Sequence, residues 1–164
     1  MTQGRVLPAK VSRAEPALWL VTWFGAGLLP KMPGTWGALA ALPFAWALAS
    51  IGGGWLLIAA AAGVFAVGLW ASERYMRIVQ IHDPSTVVID EVAAQWLTLA
   101  FVPLDPVLFL LGFLLFRTAD VLKPWPASWI DRRVGGAIGV MADDLVAALY
   151  AAIPLWLIVE LFVS

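Results

Sequence analysis

The composition of this 164-residue chain describes a membrane protein, because 62% of its residues are hydrophobic, only 13% are charged and ten are tryptophan. A domain of this size keeps a large exposed surface, so this much apolar material cannot be hidden in a water-soluble core. The chain has no cysteine, which excludes disulfides, thiolate nucleophiles and cysteine zinc sites. Its net charge of -1 decides little, since the charges are grouped in patches.

The first sixteen residues form a polar tail, and the first predicted element follows it. A secretory signal peptide is not expected, because the basic start leads to Glu15 and Pro16 before any apolar run. The apolar stretch over residues 18–29 is too short to cross a bilayer. We expect it to be interfacial or re-entrant, with Trp19 and Trp23 at the level of the lipid headgroups.

A long uncharged stretch separates residues 31 and 73 and has room for two membrane-crossing helices. Three consecutive glycines at 52–54 supply the turn between them. The first helix is predicted to begin near Thr35, and the second to run from residue 55 to about residue 77.

A second hairpin is predicted further along the chain. Asp83 and Pro84 have the pattern of an N-cap followed by a first-turn proline, so the third helix is expected over residues 84–102. The segment 103–106 carries two prolines and reverses the chain into a fourth helix that ends before Pro124.

The last predicted helix covers about residues 141–163, after a polar loop over residues 123–139 with Trp125 and Trp129 as interface anchors. The predicted fold is therefore all-α. We expect a single domain over residues 1–164, an integral membrane bundle of about five membrane-embedded helices with a short N-terminal interfacial or re-entrant segment.

The charges predict the orientation of this bundle. If the hairpin turns lie on one side of the membrane, all ten lysines and arginines fall on the other side, which the positive-inside rule places in the cytoplasm. Nine of the eleven carboxylates share that side, and only Asp105 and Glu160 lie opposite. The side chains capable of chemistry are thus concentrated on one face.

Asp90 and Glu91 are unusual because they interrupt an apolar helix. An ionised group at the bilayer centre costs about 3 kcal/mol or more and tends to be kept where it is used. With a helix start at Pro84, Asp90 would lie about 9 Å along the axis, just below the cytoplasmic mouth. Attraction to the positive end of the helix dipole is the alternative, but that effect fades after one turn and needs no pair.

A second acidic pair, Asp143 and Asp144, lies near the predicted start of the last helix. Either residue alone could be an N-cap or first-turn aspartate, but neighbours on a helix point about 100° apart, so capping does not explain both. Mg²⁺ prefers carboxylate oxygens, water and phosphate oxygens as ligands. Two such pairs opening to one side could supply its site.

Several basic residues accompany these acids. Arg117, Asp120 and Lys123 are spaced three apart and are expected on one face of the fourth helix, either as a phosphate site or as a membrane anchor with its counter-ion. Lys31 could also bind phosphate, although charge alone does not prove it. The remaining bases have ordinary explanations: Arg132 and Arg133 could meet anionic lipid headgroups, and Arg77 could pair with Glu73.

The chemistry narrows by elimination. Without cysteine, with a single histidine and without a GxxxxGK[ST] phosphate loop, the enzymatic route left is a carboxylate-bound metal that activates water against an electrophile such as phosphorus. A covalent aspartyl-phosphate stays open. Two other classes also stay open, namely a small carboxylate-dependent transporter or ion-coupling protein and a purely structural membrane subunit.

The sequence resembles the phosphatidylglycerophosphatase A family in four ordered blocks. They are GAGLLPKMPGTWG at 25–37, VIDE at 88–91, the segment 116–132 with FR, Asp120, KPWP and DR, and the segment 135–144 with GG, Gly139, Met141 and DD. The departures are modest: Ala38, Ala94, Ala148 and the Thr118-Ala119 pair replace residues more usual in the family.

The resemblance implies a Mg²⁺-dependent lipid phosphatase of the bacterial inner membrane, multi-pass, with its active site facing the cytoplasm. It would remove the terminal phosphate of phosphatidylglycerophosphate to give phosphatidylglycerol. The implied metal ligands or general base are Asp90, Glu91, Asp143 and Asp144. Lys31, Thr35, Arg117 and Lys123 would hold phosphate oxygens, Asp120 and Asp131 would orient those bases or join the metal shell, and Glu73 and His82 are weaker candidates.

Overall fold

The computed structural model describes residues 11–162, and every regular element in that range is helical, which confirms the predicted fold class. The elements are α1 (Pro16–Val21), a 3-10 turn (Ala26–Leu28), α2 (Pro33–Val79), α3 (Ile89–Leu99), α4 (Pro106–Leu122), α5 (Ala127–Arg133) and α6 (Gly136–Phe162). Most of the expected polar tail, with Arg5 and Lys10, and the expected end of the last helix at Val163 lie outside the described residues.

The predicted glycine turn lies inside α2. Gly53 has φ 62° and ψ -160°, a conformation open to glycine but not to a helix, and it divides α2 into an N-terminal arm (33–52) and a C-terminal arm (54–79). Each arm corresponds to one of the two helices predicted from the uncharged stretch. The first arm begins at Pro33, two residues before the predicted start at Thr35.

The two arms of α2 run in opposite directions along α3. In the C-terminal arm, Gly54 packs against the backbone of Ala100 and Gly68 packs near Ile89, so this arm is antiparallel to α3. The N-terminal arm begins beside Glu91, against which Gly34 packs. Both outer ends of α2 therefore lie near the start of α3, and the Gly53 turn lies at the opposite end of the bundle.

Two helices, α2 and α6, are long and apolar enough to cross a membrane. Large apolar side chains cover the outside of these helices; Trp55 is 84% exposed and Phe162 is 81% exposed. A surface of this kind is expected where lipid rather than water surrounds the protein. These observations support membrane association, and the count of about five embedded helices stays a prediction.

α3 begins at Ile89, so the predicted start at Pro84 is wrong. The backbone N–H of Val88 donates to the Val21 carbonyl (2.7 Å), which holds residues before α3 against α1 rather than in a helical turn. Asp90 is consequently in the first turn of α3 and not six residues inside it. The helix has 11 residues, about 16 Å, and is buried on nearly all sides instead of along one polar stripe.

α4 matches its prediction closely. Asp105 caps it by accepting hydrogen bonds from the backbone N–H groups of Val107 (2.8 Å) and Leu108 (2.9 Å), and the helix ends at Leu122. The expected loop over residues 123–139 is partly wrong, because it contains α5 and the first turn of α6. Since α6 starts at Gly136, Asp143 and Asp144 lie two turns inside the helix and neither is an N-cap.

Small residues bring α3, α4 and α6 together. Ala94 on α3 and Ala148 on α6 are fully buried and pack with the rings of Phe113 and Phe116 on α4. Small side chains allow close approach of helix backbones in membranes. α3 is thereby enclosed by α2, α4 and α6, and its N-terminal acids open towards one end of the bundle.

The segment expected to be interfacial or re-entrant folds against α2 and α3. α1 has only six residues, and its Leu18 and Val21 are buried in one apolar cluster with Tyr75 of α2. Trp19 is partly exposed, as expected of a headgroup anchor, but Trp23 is buried. The Trp23 ring lies edge-on against Trp96 with centroids 5.6 Å apart, so its expected place among the headgroups is wrong.

Candidate active site

A cavity of about 470 Å³ opens at the end of the bundle where α2, α3, α4, α5 and α6 meet. Seven carboxylates and three cationic side chains line it: Asp83, Asp90, Glu91, Asp120, Asp131, Asp143 and Asp144, with Lys123, Arg132 and Arg133. All six acids predicted for the site, and Lys123, are therefore brought into one pocket. The acids come from segments up to about sixty residues apart in sequence, so the fold rather than local sequence assembles them.

Three of these acids form a compact group, which we call the acid trio: Asp90, Glu91 and Asp144. Each offers a carboxylate oxygen, and the three oxygens lie within 4.8 Å of one another. Asp90 and Asp144 are buried and Glu91 is half-buried. Like charges this close repel strongly where water is scarce, so the trio is costly unless a cation or protons compensate it.

The donor set of the acid trio suits a hard divalent cation. All three ligands are carboxylate oxygens, as Mg²⁺ and Ca²⁺ prefer, and no soft sulfur or imidazole ligand takes part. Among the described residues, Glu91 Oε2 is buried without a hydrogen-bond partner. Because a buried carboxylate oxygen normally has a partner, this orphaned acceptor supports a cation site.

Arg117 holds two acids at the back of the pocket. Its Nη1 lies 2.5 Å from Asp120 Oδ2 and 3.7 Å from Glu91 Oε1, and all three side chains are largely buried. The predicted Arg117–Asp120 pair is therefore present. Arg117 itself does not line the pocket. In this arrangement the guanidinium charge of Arg117 offsets the charges of Glu91 and Asp120, and the side chain does not face the cavity.

Lys123 contacts Asp131, one of the two acids expected to orient the bases, and also Asp143, which was expected at the metal or as the general base. Its Nζ donates to Asp131 Oδ1 (2.6 Å) and Asp143 Oδ2 (2.5 Å), and it makes no ion pair with Asp120. The reason is that α4 ends at Leu122, and Lys123 has φ 43°, which turns it off the helical face it would share with Asp120. Partial burial works to lower the pKa of Lys123, but the hydrogen bonds to Asp131 and Asp143 raise it above its ordinary value.

Three other candidates from the sequence are not placed in the pocket. Lys31 is exposed and is not among the lining residues. Thr35 has a buried hydroxyl with no hydrogen-bond partner among the described residues, but it does not line the cavity either. Glu73 pairs with Arg77 (2.9 Å), as that spacing predicted, beside an adjacent groove.

His82 does line the pocket, close to Gly135. It was only a weak candidate from the sequence, because a lone histidine beside an aspartate is more often structural.

Two features of the site escaped the sequence reasoning. Gly34 packs so closely against Glu91 that a side chain there would collide with the carboxylate and approach Arg117 Nη1 to 3.0 Å. Arg132 and Arg133 line the pocket at the end of α5, although they were not among the site residues predicted from the sequence. For the arginines, the signal in the sequence was that two of them are adjacent. For Gly34, the signal was a glycine in the first turn of a helix, where the backbone conformation does not require glycine.

Comparisons with known proteins agree with the resemblance found in the sequence. Residues 19–159 match a protein family described as phosphatidylglycerophosphatase A. A phosphatidylglycerophosphatase A of Escherichia coli (strain K12) is 33% identical over 148 residues, covering 90% of this chain and 86% of that protein. One of Haemophilus influenzae is 34% identical over 154 residues, covering 93% and 94%. No solved structure matches the chain.

Proposed function

Because the chain belongs to the phosphatidylglycerophosphatase A family, we propose that the pocket around the acid trio is the active site of its lipid phosphatase reaction. The chain is a phosphatidylglycerophosphatase of phospholipid metabolism. The reaction takes the terminal phosphate from phosphatidylglycerophosphate and leaves phosphatidylglycerol. The observation that carries the assignment of the pocket is the convergence of three carboxylates from α3 and α6 within 4.8 Å of one another.

Mg²⁺ is the cation that we assign to this site. Asp90, Glu91 and Asp144 would hold it, with substrate phosphate oxygens and water as further ligands. When bound, such an ion lowers the pKa of coordinated water and polarises the phosphoryl group. The orphaned Glu91 Oε2 and the all-oxygen donor set support this choice.

Asp143 is the best placed residue to act as general base. Its Oδ2 accepts from Lys123, while its Oδ1 is buried without a partner among the described residues and is free to accept a proton. In the proposed step, water attacks phosphorus and gives a proton to Asp143 Oδ1. The ester bond between phosphorus and the glycerol oxygen breaks, and that oxygen takes a proton from solvent water as phosphatidylglycerol leaves. Asp143 then releases its proton to solvent, which restores the carboxylate.

The orientation expected from the sequence is part of the proposal. At the pocket end the bundle carries Arg74, Arg77, Arg117, Lys123, Arg132 and Arg133, whereas the Gly53 end has no cationic side chain among the described residues. By the positive-inside rule, the pocket would then open on the cytoplasmic side of a bacterial inner membrane. The arms of α2 are about 30 and 39 Å long, and α4 is about 25 Å long. These three segments and α6 would cross the membrane, while the shorter α3 would be embedded without crossing it.

A carboxylate-dependent transporter was the alternative from the sequence, and it is not favoured. Transporters hold their coupling groups near the midplane with access from both sides. Here the acids gather at one end of the bundle, and the family match names a phosphatase.

The test uses purified protein in detergent with phosphatidylglycerophosphate as substrate. We expect phosphate release with Mg²⁺ and none with excess EDTA, and Mg²⁺ alone should raise the unfolding temperature of the wild type. Asp90→Asn and Asp144→Asn should each lower kcat at least about a hundredfold, because each removes a ligand oxygen, and should abolish the Mg²⁺-dependent thermal shift.

Glu160→Gln is the matched control, since it removes a carboxylate from the exposed far end of α6. Its activity and Mg²⁺ response should equal those of the wild type. Phosphate release that survives both Asp90→Asn and Asp144→Asn would refute the assignment of the pocket. If turnover in ¹⁸O-labelled water placed the label in a carboxylate, direct water attack would be wrong and an aspartyl-phosphate intermediate would take its place.

A further inference from the structure

The cationic side chains around the pocket fall into two groups. Arg117 lies against Glu91 and Asp120, and Lys123 is bonded to Asp131 and Asp143, so each is already shared between two acids. Arg132 and Arg133 line the same cavity, are exposed and have no ion pair with any described residue. They are the arginines that can bind a substrate anion without breaking an existing ion pair.

The charge balance of the pocket favours a role for these two arginines in binding an anionic substrate. Seven carboxylates line the cavity against three cationic side chains, so with all seven ionised one divalent cation would still leave the lining negative. Phosphatidylglycerophosphate adds two phosphates, one as a terminal monoester and one as the diester next to the lipid. Attraction for the second phosphate must come from cationic groups not already neutralised.

We infer that Arg132 and Arg133 form a second anion subsite, which binds the phosphodiester of the substrate while its terminal phosphate lies at the cation that the acid trio would hold. This inference rests on the proposed function. α5 places the arginines at the pocket wall, and its Trp129 is half exposed, as expected of a residue at the lipid interface. Guanidinium groups suit phosphate oxygens because they can donate two hydrogen bonds in one plane.

The subsite makes the enzyme selective for lipids that carry both a phosphomonoester and a phosphodiester. Inorganic phosphate resembles only the terminal group, so it should bind at the cation that the acid trio would hold and should not contact the arginines. Loss of the arginines should therefore weaken binding of the whole substrate but not of inorganic phosphate. This difference separates a diester subsite from a general attraction of anions.

The experiment compares wild type with an Arg132→Gln, Arg133→Gln double variant in neutral detergent micelles. We expect KM for phosphatidylglycerophosphate to rise roughly tenfold or more, since charge-assisted hydrogen bonds are lost, while kcat stays within about twofold. The inhibition constant of inorganic phosphate should not change. An Arg132→Lys, Arg133→Lys variant, which keeps charge but loses the planar donors, should show an intermediate KM.

Arg13→Gln is the matched control, because Arg13 is exposed and does not line the pocket. An unchanged KM in the double variant overturns the inference, and so does a parallel rise in the phosphate inhibition constant, which would place the arginines at the terminal phosphate. A rise in KM that occurs only in vesicles of anionic lipid would also overturn it, as an effect of the membrane surface. Failure of the wild type to release phosphate would instead refute the proposed function.

Discussion

Lys123 separates the roles of two neighbouring aspartates. Asp143 and Asp144 are adjacent on α6 and point about 100° apart, so one reaches Lys123 and the other joins Asp90 and Glu91. The amino-acid sequence predicted that both pairs of acids would converge. It could not predict this division, because it depends on where α4 ends and on the left-handed turn at Lys123.

Lys123→Met should show what this contact contributes. It leaves Asp131 and Asp143 without their shared cation, so we expect kcat to fall about a hundredfold and the free energy of unfolding to fall by about 1 kcal/mol, a small figure because a third of the lysine side chain is exposed. Lys123→Arg should retain part of the activity. Activity equal to wild type in Lys123→Met would remove Lys123 from the mechanism.

The pH dependence of that stability difference follows from the raised pKa of Lys123. A raised pKa contributes stability that is fully present below the pKa of an unfolded lysine, about 10.4, and is lost as pH rises through the folded value. The contribution of the lysine charge should therefore be constant between about pH 7 and 9 and shrink only above about pH 10. Denaturant unfolding of wild type and Lys123→Met across this range measures it, and a steep change near pH 8 would contradict it.

Gln95 is a buried residue for which the structure shows no hydrogen bond. Its side chain has no exposure, and neither amide atom has a partner among the described residues. Gln95→Met keeps the volume and removes the polar group, so it should raise the free energy of unfolding by about 1 kcal/mol. Thermal unfolding in detergent measures this; a loss of stability in Gln95→Met would show that the amide has a partner.

At the scale of elements, the close approach of α2 to α3 depends on Gly34. Gly34→Ala puts a methyl group where Glu91 lies, so we expect Glu91 to shift within the acid trio and kcat to fall at least about tenfold. Gly63→Ala is the control on the same helix, because no atom lies within 4 Å of its added methyl. It should keep activity and stabilise α2 by up to about 1 kcal/mol. Equal activity of the two variants would show that Gly34 is not needed for the site.

The elements that could be predicted are those fixed by local sequence. Uncharged runs bounded by glycine, proline or a capping aspartate predicted both arms of α2 and also α4. The start of α3 could not be read in this way, because Val88 donates its N–H to Val21, a residue far away in the sequence. α5 was missed for a similar reason, since a seven-residue helix depends on packing rather than on its own propensity.

At the scale of the whole molecule, the gathering of the acids at one end could be predicted from the number of chain reversals and the placement of the charges. The central position of α3 could not. A helix of 11 residues is too short to span a bilayer, and burying it on all sides requires three neighbours with matching small residues such as Ala94 and Ala148. Hydropathy detects only an apolar run, and from it one predicts a helix long enough to span the bilayer.

Orientation in the membrane is open to direct test, because the chain contains no cysteine and single cysteines can be introduced as labels. Ser12 lies near the pocket end and Ser50 near the Gly53 turn, and both are exposed. Ser50→Cys should react with a membrane-impermeant maleimide in spheroplasts, whereas Ser12→Cys should react only in inverted vesicles, as the charge distribution requires. The reverse labelling pattern would mean that the pocket faces the outer side of the membrane. Labelling of both from one side would mean that the N-terminal arm of α2 does not cross.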